Sequence, residues 1–401
     1  MSRTATLASL VAVAVAAGGG AAGARVIEVN TLTTNTVGPS FCELDDAITA
    51  ANLDQGAGGC THGSGADVIT FAPGLAGTIL VAADLPAIAG VLTIQGPGAD
   101  VLAVSGQGAR RVFSVAAGAT AVISGLTIQD GVATGDVGGG ILVQAGASLT
   151  LEDCSVASNS AMSGGGLAVE QAAVRIDRSL FEGDGAANGG SGAGILNDGG
   201  QLDLVDSTLS GNGSAGVAAG GGVATLGSGA TRVYSSTLAS NTAMQGGNVS
   251  DAAGATTSLT HTLLATPGAG NDCAGTIAST GHNLADDGSC ALAGVGDLDS
   301  VAAGLAALAD NGGPTATRAL APGSAAIDGG DVACFDPDDL PIVTDQRGPG
   351  FPRRTDGDGD RAVRCDIGAF ETAPEPAAGL LAGTAAAALA VLARRRRPRV
   401  P

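Results

Sequence analysis

The sequence predicts an all-β repeat architecture, in which successive coils of chain stack into an elongated solenoid. Three observations predict it. Between Gly125 and Thr262 one short phrase recurs: CSVASNSA from Cys154, SLFEGDGA from Ser179, STLSGNGS from Ser207 and STLASNTA from Ser236, with weaker copies at Gly125 and Thr262. The six anchors are 29, 25, 28, 29 and 26 residues apart, a period that belongs to repeat proteins rather than to ordinary globular domains. Each full copy follows its own glycine run, GGGILV from Gly138, GGGLAV from Gly164, GAGILN from Gly192 and GGGVAT from Gly220. Finally, the stretches ASLTLEDCSV, AVRIDRSLF, QLDLVDSTL and TRVYSSTLAS alternate apolar and polar residues between turn residues, as strands with one buried face do.

Composition agrees with a long, thin core. Gly supplies 67 of 401 residues, Trp and Lys are absent, and there are one Tyr and seven Phe, so bulky side chains cannot fill a conventional interior. The hydrophobic share of 45% is mostly Ala, Val, Leu and Ile, enough for one narrow body with small end domains. A formal charge of −20 and a pI near 4.2 exclude a nucleic-acid partner, whose phosphates demand basic patches.

Taken in order, residues 1–24 carry one Arg, an apolar run from Ala5 to Ala17 and the small residues Ala22, Gly23 and Ala24. This is the form of a secretory signal peptide cleaved after Ala24. Residues 25–65 form an N-terminal cap: a strand-like opening, then FCELDDAITAANLDQ as a short amphipathic helix with Leu44, Ala47, Ile48 and Ala51 at helical spacing. Short apolar strands between Gly and Pro turns begin the coils, which occupy residues 66–270. Export favours disulfides. Six cysteines fall into three local pairs, Cys42 with Cys60, Cys273 with Cys290 and Cys334 with Cys365. Cys154 sits at a repeat position otherwise held by Ser or Thr and is expected as a free thiol inside a coil.

Within the repeats, Val156, Phe181, Leu209, Leu238 and Leu264 lie two residues after their anchors and form an inward column, one aliphatic or aromatic rung per coil. Coils stack about 4.8 Å apart. Asp130, Asn159, Asp184, Asn212 and Asn241 lie five residues after the anchors and are expected as a turn ladder, these residues tolerating left-handed backbone. A carbohydrate-binding row is the functional alternative for them. The glycine runs place sharp corners. None precedes the Lys of a phosphate-binding loop, and the regular Asp of calcium-binding nonapeptide repeats is missing.

Two stretches resemble known families. NTLTTNTVGPSFCELDDAITAANLDQ followed by DVITF is similar to the N-terminal segment of bacterial secreted proteins of the CSLREA type. Here the motif reads Cys42-Glu43-Leu44-Asp45-Asp46-Ala47, keeping its Cys, Leu and Ala. LADNGGPTATRALAPGSAAIDGG from Leu308, TDQRG from Thr344 and CDIGAFE from Cys365 resemble the choice-of-anchor segment that closes such proteins. The resemblances imply a right-handed parallel β-helix, a pectin-lyase-like solenoid, closed by a loop-rich C-terminal cap over residues 271–371. They imply a surface or adhesin-like role and no defined reaction.

Chemistry is sought where repetition stops. His282, Asp286 and Asp287 are the one place where a His lies near two carboxylates, and hydrolases of this fold use paired Asp residues with a nearby His, the carboxyls flanking the scissile bond. Against catalysis, the two Asp are adjacent in a loop, no Arg occurs between Arg232 and Arg318 to grip an acidic sugar, and no Lys base exists. TDGDGDR, from Thr355 to Arg361, alternates Asp356, Asp358 and Asp360 with Gly. It fails as an EF-hand loop but offers hard oxygens for a structural calcium ion, with Asp366 contributing; a solvated acidic turn is the alternative.

Residues 372–401 contain Pro374-Glu375-Pro376, an apolar stretch from Ala377 to Ala393, and Arg394, Arg395, Arg396 and Arg397. Seventeen apolar residues barely span a bilayer, and the Arg cluster stays cytoplasmic. The order resembles the PEP-CTERM sorting tail of Gram-negative exported proteins, which implies cleavage by an exosortase and only transient contact with the inner membrane. The expectation is an exported cell-surface or extracellular-matrix β-helix with a passive structural or adhesin-like role, not an enzyme, processed by signal peptidase and an exosortase-like enzyme and meeting an extracellular polysaccharide or surface protein. The alternative is a polysaccharide-active hydrolase or lyase.

Overall fold

A computed structural model describes residues 23–34, 40–187, 189–214 and 216–373. The chain is a parallel β-helix. Two ten-stranded sheets and one seven-stranded sheet run along it, and the strands of each sheet come from successive coils. Seven complete three-sided turns result. In one turn the chain passes from Thr120–Ser124 in the first sheet to Thr127–Gln129 in the second, crosses the side of the rod, enters the third sheet at Ile141–Val143 and returns at Ser148–Glu152.

Register follows the expected columns. Ile94, Ile123, Leu151, Ile176, Leu204, Val233 and Leu259 are consecutive partners in the first sheet, and all are buried. In the second sheet Ile128, Val156, Phe181, Leu209, Leu238 and Leu264 stack likewise, each fully buried. One register expectation is corrected. Thr127 pairs with Ser155, so Leu126 rather than Gly125 is the equivalent of Cys154, and the first step is one residue shorter. Gly125 is instead the left-handed corner, aligned with Asp153.

Two kinds of glycine give the runs their meaning. Gly138, Gly164, Gly192, Gly220 and Gly246 all have φ between 56° and 69°, backbone that side chains rarely adopt. Two residues further on, a Cβ on Gly140 would lie 2.5 Å from the Gly166 carbonyl oxygen, and one on Gly166 2.7 Å from that of Gly194. The coils approach too closely there for any side chain.

At the N-terminal end the helix Leu44–Leu53 buries Leu44, Ala47, Ile48 and Ala50 against Ile27, Val29 and Ile69, and so covers the first turn. The three expected disulfides, Cys42–Cys60, Cys273–Cys290 and Cys334–Cys365, are formed, and Cys154 is a buried free thiol.

Parallel pairing continues past residue 270. Cys273–Ala274 joins the third sheet, Ile277–Gly281 the first, and Leu284–Ala285 with Leu298–Asp299 the second. The remaining chain packs against the side of the coils. After the antiparallel pair Leu305–Ala309 and Thr317–Leu320 it runs back along the side as a strap, touching five coils. Thr315 bonds the Arg178 carbonyl, Gln346 bonds Thr208, Ala369 bonds Thr237, Gly368 bonds the His261 carbonyl and His282 meets the Gly329 carbonyl. Ala239, Leu263, Ala265 and Leu284 on the outer face of the second sheet form a second core with Ala303, Leu320, Ala326 and Ile367 of the strap.

Candidate functional site

The repeat's polar residues are spent on holding coil to coil. Asn159 Oδ1 accepts from the Gly131 N–H, Asp184 from Asn159, Asn212 from Asp184 and Asn241 from Asn212, at 2.7 to 3.0 Å. The Nδ2 groups of Asn159, Asn212 and Asn241 donate to the Ile128, Phe181 and Leu209 carbonyls. All four rungs are at most 1% exposed, which excludes a sugar-binding row. Two details correct the expectation. The left-handed residues are the preceding ones, Ser158, Gly183, Gly211 and Ser240, and the ladder residues bond the neighbouring coil rather than their own turn. Asp130 falls out of the column, since Gly131 is the partner of Asn159.

A second ladder runs through the anchors. The N–H groups of Cys154, Ser179 and Ser207 donate to the hydroxyls of Ser179, Ser207 and Ser236, and these hydroxyls donate to the Asp177, Val205 and Tyr234 carbonyls. Cys154 takes the same place, its Sγ directed at the Glu152 and Ile123 carbonyls. Burial pushes this thiol up to about 12, so it is not a nucleophile at neutral pH.

The acidic residues after the repeats divide. Asp286 and Asp287 line a cleft of about 710 Å³ between the last coils and the strap, together with Thr266, Leu305 and Arg318. The fold thus supplies what sequence spacing withheld, an Arg beside the two carboxylates. Arg318 is held by Ser210 Oγ and Ser240 Oγ at 3.0 Å, and burial lowers its pKa. Behind the cleft, fully buried Asp272 and Asp287 each donate a backbone N–H to the other's carboxylate. Burial first, then the hydrogen bond and charge of Asp286, raise Asp272 to about 8. Asp287 also holds the Ser289 N–H and hydroxyl, and Asp286 accepts from the Thr266 N–H at 2.5 Å. His282 is not in this cleft. Its Nδ1 lies 3.1 Å from the Gly329 carbonyl and its ring stacks on His261. A smaller recess of about 260 Å³ near the N-terminal end has its charges paired internally, Arg110 with Asp84 and Arg111 with Asp136.

In the acidic loop, carboxylate oxygens of Asp356, Asp358 and Asp328 lie within 4.8 Å of one another. Oxygens that share a calcium ion at about 2.3–2.6 Å are separated by at most about 5 Å, so this set fits one. Asp328 was not in the expected set. Asp360 instead accepts from the Ala362 N–H, while buried Asp366 accepts from the N–H groups of Asp328 and Thr372 and orients the loop from beneath.

Sequence reasoning missed the residues that clasp the strap. Arg347 forks onto Asp345, donates to the Glu371 carbonyl and lies between the rings of Phe351 and Phe370, 4.1 and 3.8 Å from their centroids. Glu371 accepts from Thr355 and Asp366, and burial raises it to about 8. These are the TDQRG and CDIGAFE residues, so the second of the two motifs is the fastening of strap to rod. The signal was present: the outer strands Thr208–Ser210, Thr237–Ala239 and Leu263–Ala265 are buried on both faces and lack the alternating charge of strands left open to water.

No family model, curated protein or solved structure matched the chain. Among the described residues no helix is long and apolar enough to cross a membrane. The expected signal peptide cleavage site touches the described residues at Gly23 and Ala24, whereas Pro374, Glu375, Pro376 and Arg394 to Arg397 lie outside them.

Proposed function

We propose that this protein is an exported, rigid β-helical rod with a passive structural or adhesive role at the cell surface or in the extracellular matrix. The observation that carries the reading is the use of the conspicuous polar residues: Asn and Ser columns join coils, Asp272 and Asp287 hold backbone, and His282 packs against the strap. What is left for binding is the rod's long lateral surface. Three disulfides support an oxidising, extracellular setting. The N-terminal and C-terminal segments support handling by signal peptidase and an exosortase-like enzyme, with transient membrane contact. Mass spectrometry of the native protein's C-terminus tests the sorting step; an intact Arg394 to Arg397 segment on mature material contradicts it.

The second reading is a polysaccharide-active enzyme, favoured by the one cleft that gathers Asp286, Asp287 and Arg318. Purified protein incubated with acidic and neutral polysaccharides separates the two. No product is expected. Product formation that disappears in Asp286→Ala or Asp287→Ala overturns the passive role. A structural calcium ion on Asp328, Asp356 and Asp358 belongs to either reading, stiffening the loop that meets the strap's Cys365.

A further inference from the structure

The corner between the first and second sheets is left-handed at Asp206, Ser235 and His261, with φ of 44°, 47° and 49°. The three are consecutive partners on successive coils, next to the pairs Val205 with Tyr234 and Tyr234 with Thr260. Further along the rod the same corner carries Asp153 and Arg178, which pair with each other at 2.9 Å and stay partly open to water. Under the strap the corner is closed, and Asp206, Ser235 and His261 are 4%, 0% and 6% exposed.

Opposite them the strap places Arg353, which is fully buried. Its Nη2 donates to the Asp366 and Gly368 carbonyls, while Nε and Nη1 have no hydrogen-bond partner in the protein. Asp206 Oδ1, 3.7 Å from Nη1, Ser235 Oγ and His261 Nδ1 are likewise unpartnered. Five buried, unpartnered polar atoms from two separate parts of the chain therefore lie along the seam between this corner and the strap residue beside it. A buried polar group left without a bond is destabilising, and in folded proteins such groups are matched by protein atoms or ordered water.

The donors and acceptors select the ligand. Arg353 can only donate. His261 Nε2 accepts from the Asp331 N–H, which fixes the neutral tautomer with a proton on Nδ1 and makes that atom a donor. Asp206 Oδ1 accepts, and burial raises this carboxyl to about 7. Ser235 does either. Above about pH 7 an anion would face the Asp206 carboxylate, and a cation would face Arg353 at any pH; a molecule that both accepts and donates satisfies the set whether or not Asp206 holds its proton. We propose that ordered water occupies this seam, bridging Arg353 to Asp206, Ser235 and His261 and joining strap to rod through a hydrated internal site. Three coils at about 4.8 Å spacing give a column spanned by roughly two or three waters, each making about three bonds.

A crystal structure of the wild-type protein, grown with and without a bromide soak, tests this. Solvent density within hydrogen-bond distance of Arg353 Nε and Asp206 Oδ1, with no anomalous bromide peak, is expected. A dry seam with Arg353 Nε and Nη1 seated directly on Asp206, or a bromide peak in the seam, overturns the proposal. None of these outcomes depends on whether the rod is adhesive or enzymatic.

Discussion

The Thr208 hydroxyl donates to Gln346 Oε1 at 2.5 Å, across 138 residues of sequence, and both side chains are fully buried. The amide of the same Gln346 donates to Thr315 and to the Ala316 carbonyl. One side chain thus ties the strap to the rod and to its own hairpin. Gln346→Ala strands the Thr208 hydroxyl and removes a donor from Thr315 and from the Ala316 carbonyl, and is expected to destabilise the strap by about 1–3 kcal/mol. Hydrogen exchange should rise in residues 344–371 while the coils near Val156 keep their protection. Unchanged exchange in the strap contradicts the arrangement.

Asp184 is the one acid in a column of asparagines. Its Oδ2 is buried without a partner, and burial raises its pKa well above the usual carboxylate range. Asp184→Asn is expected to raise stability at neutral pH by about 1–3 kcal/mol, because an Nδ2 there can donate to the previous coil as its neighbours do. Asn212→Ala is expected to lower stability by a similar amount, leaving the Asp184 N–H without its acceptor and removing the Asn212 amide from the Phe181 carbonyl. Thermal unfolding of both variants at pH 7 checks the pair of signs.

Stability should fall on the alkaline side. Asp206, Asp272 and Glu371 have folded values of about 7, about 8 and about 8, each above its ordinary value near 4. The folded state holds these protons more tightly, so their contribution is complete below about pH 4 and lost as pH climbs to 8. His261 opposes them. Burial and the Arg353 charge lower it to about 4, and its contribution is lost as pH falls from 6.5. The three carboxyls outweigh one imidazole, and unfolding scans should show a higher Tm at pH 5.5 than at pH 8.5. A Tm that rises steadily to pH 8.5 contradicts this balance.

Calcium should stabilise the strap. At a hundredfold excess over Kd, a single site adds about 2.7 kcal/mol. The Tm should rise with calcium, return with chelator, and stay flat in Asp356→Asn and Asp328→Asn. Asp360→Asn should keep the response, since Asp360 is not in the cluster. A calcium response equal in all three variants, or none in the wild type, contradicts the site.

Much of this architecture was legible in the sequence. The column from Val156 to Leu264 could be read off because a narrow solenoid admits one inward residue per coil, and the cysteine pairs because each closes a local loop. The strap could not. Its contacts join residues more than 100 positions apart, such as Arg175 with Asp336 at 2.8 Å and Thr237 with Ala369 at 2.9 Å, and no periodicity encodes them. Shorter separations outside any repeat, 32 and 28 residues, hid Arg318 from Asp286 and Asp328 from Asp356. His282 and Asp286 misled in the opposite way. They are four residues apart, but the strand Leu284–Ala285 carries the chain from a corner to the cleft, so proximity in sequence separates them in space.

Hydrogen exchange measured at Gln346 and Ala369 against Thr208 and Thr237 tests the central claim, that the C-terminal segment is fastened along the side of a closed rod. The account predicts protection of the two strap amides within the range of the coil amides that they face. Exchange at Gln346 and Ala369 at the rate of an unstructured peptide, with Thr208 and Thr237 still protected, would contradict it.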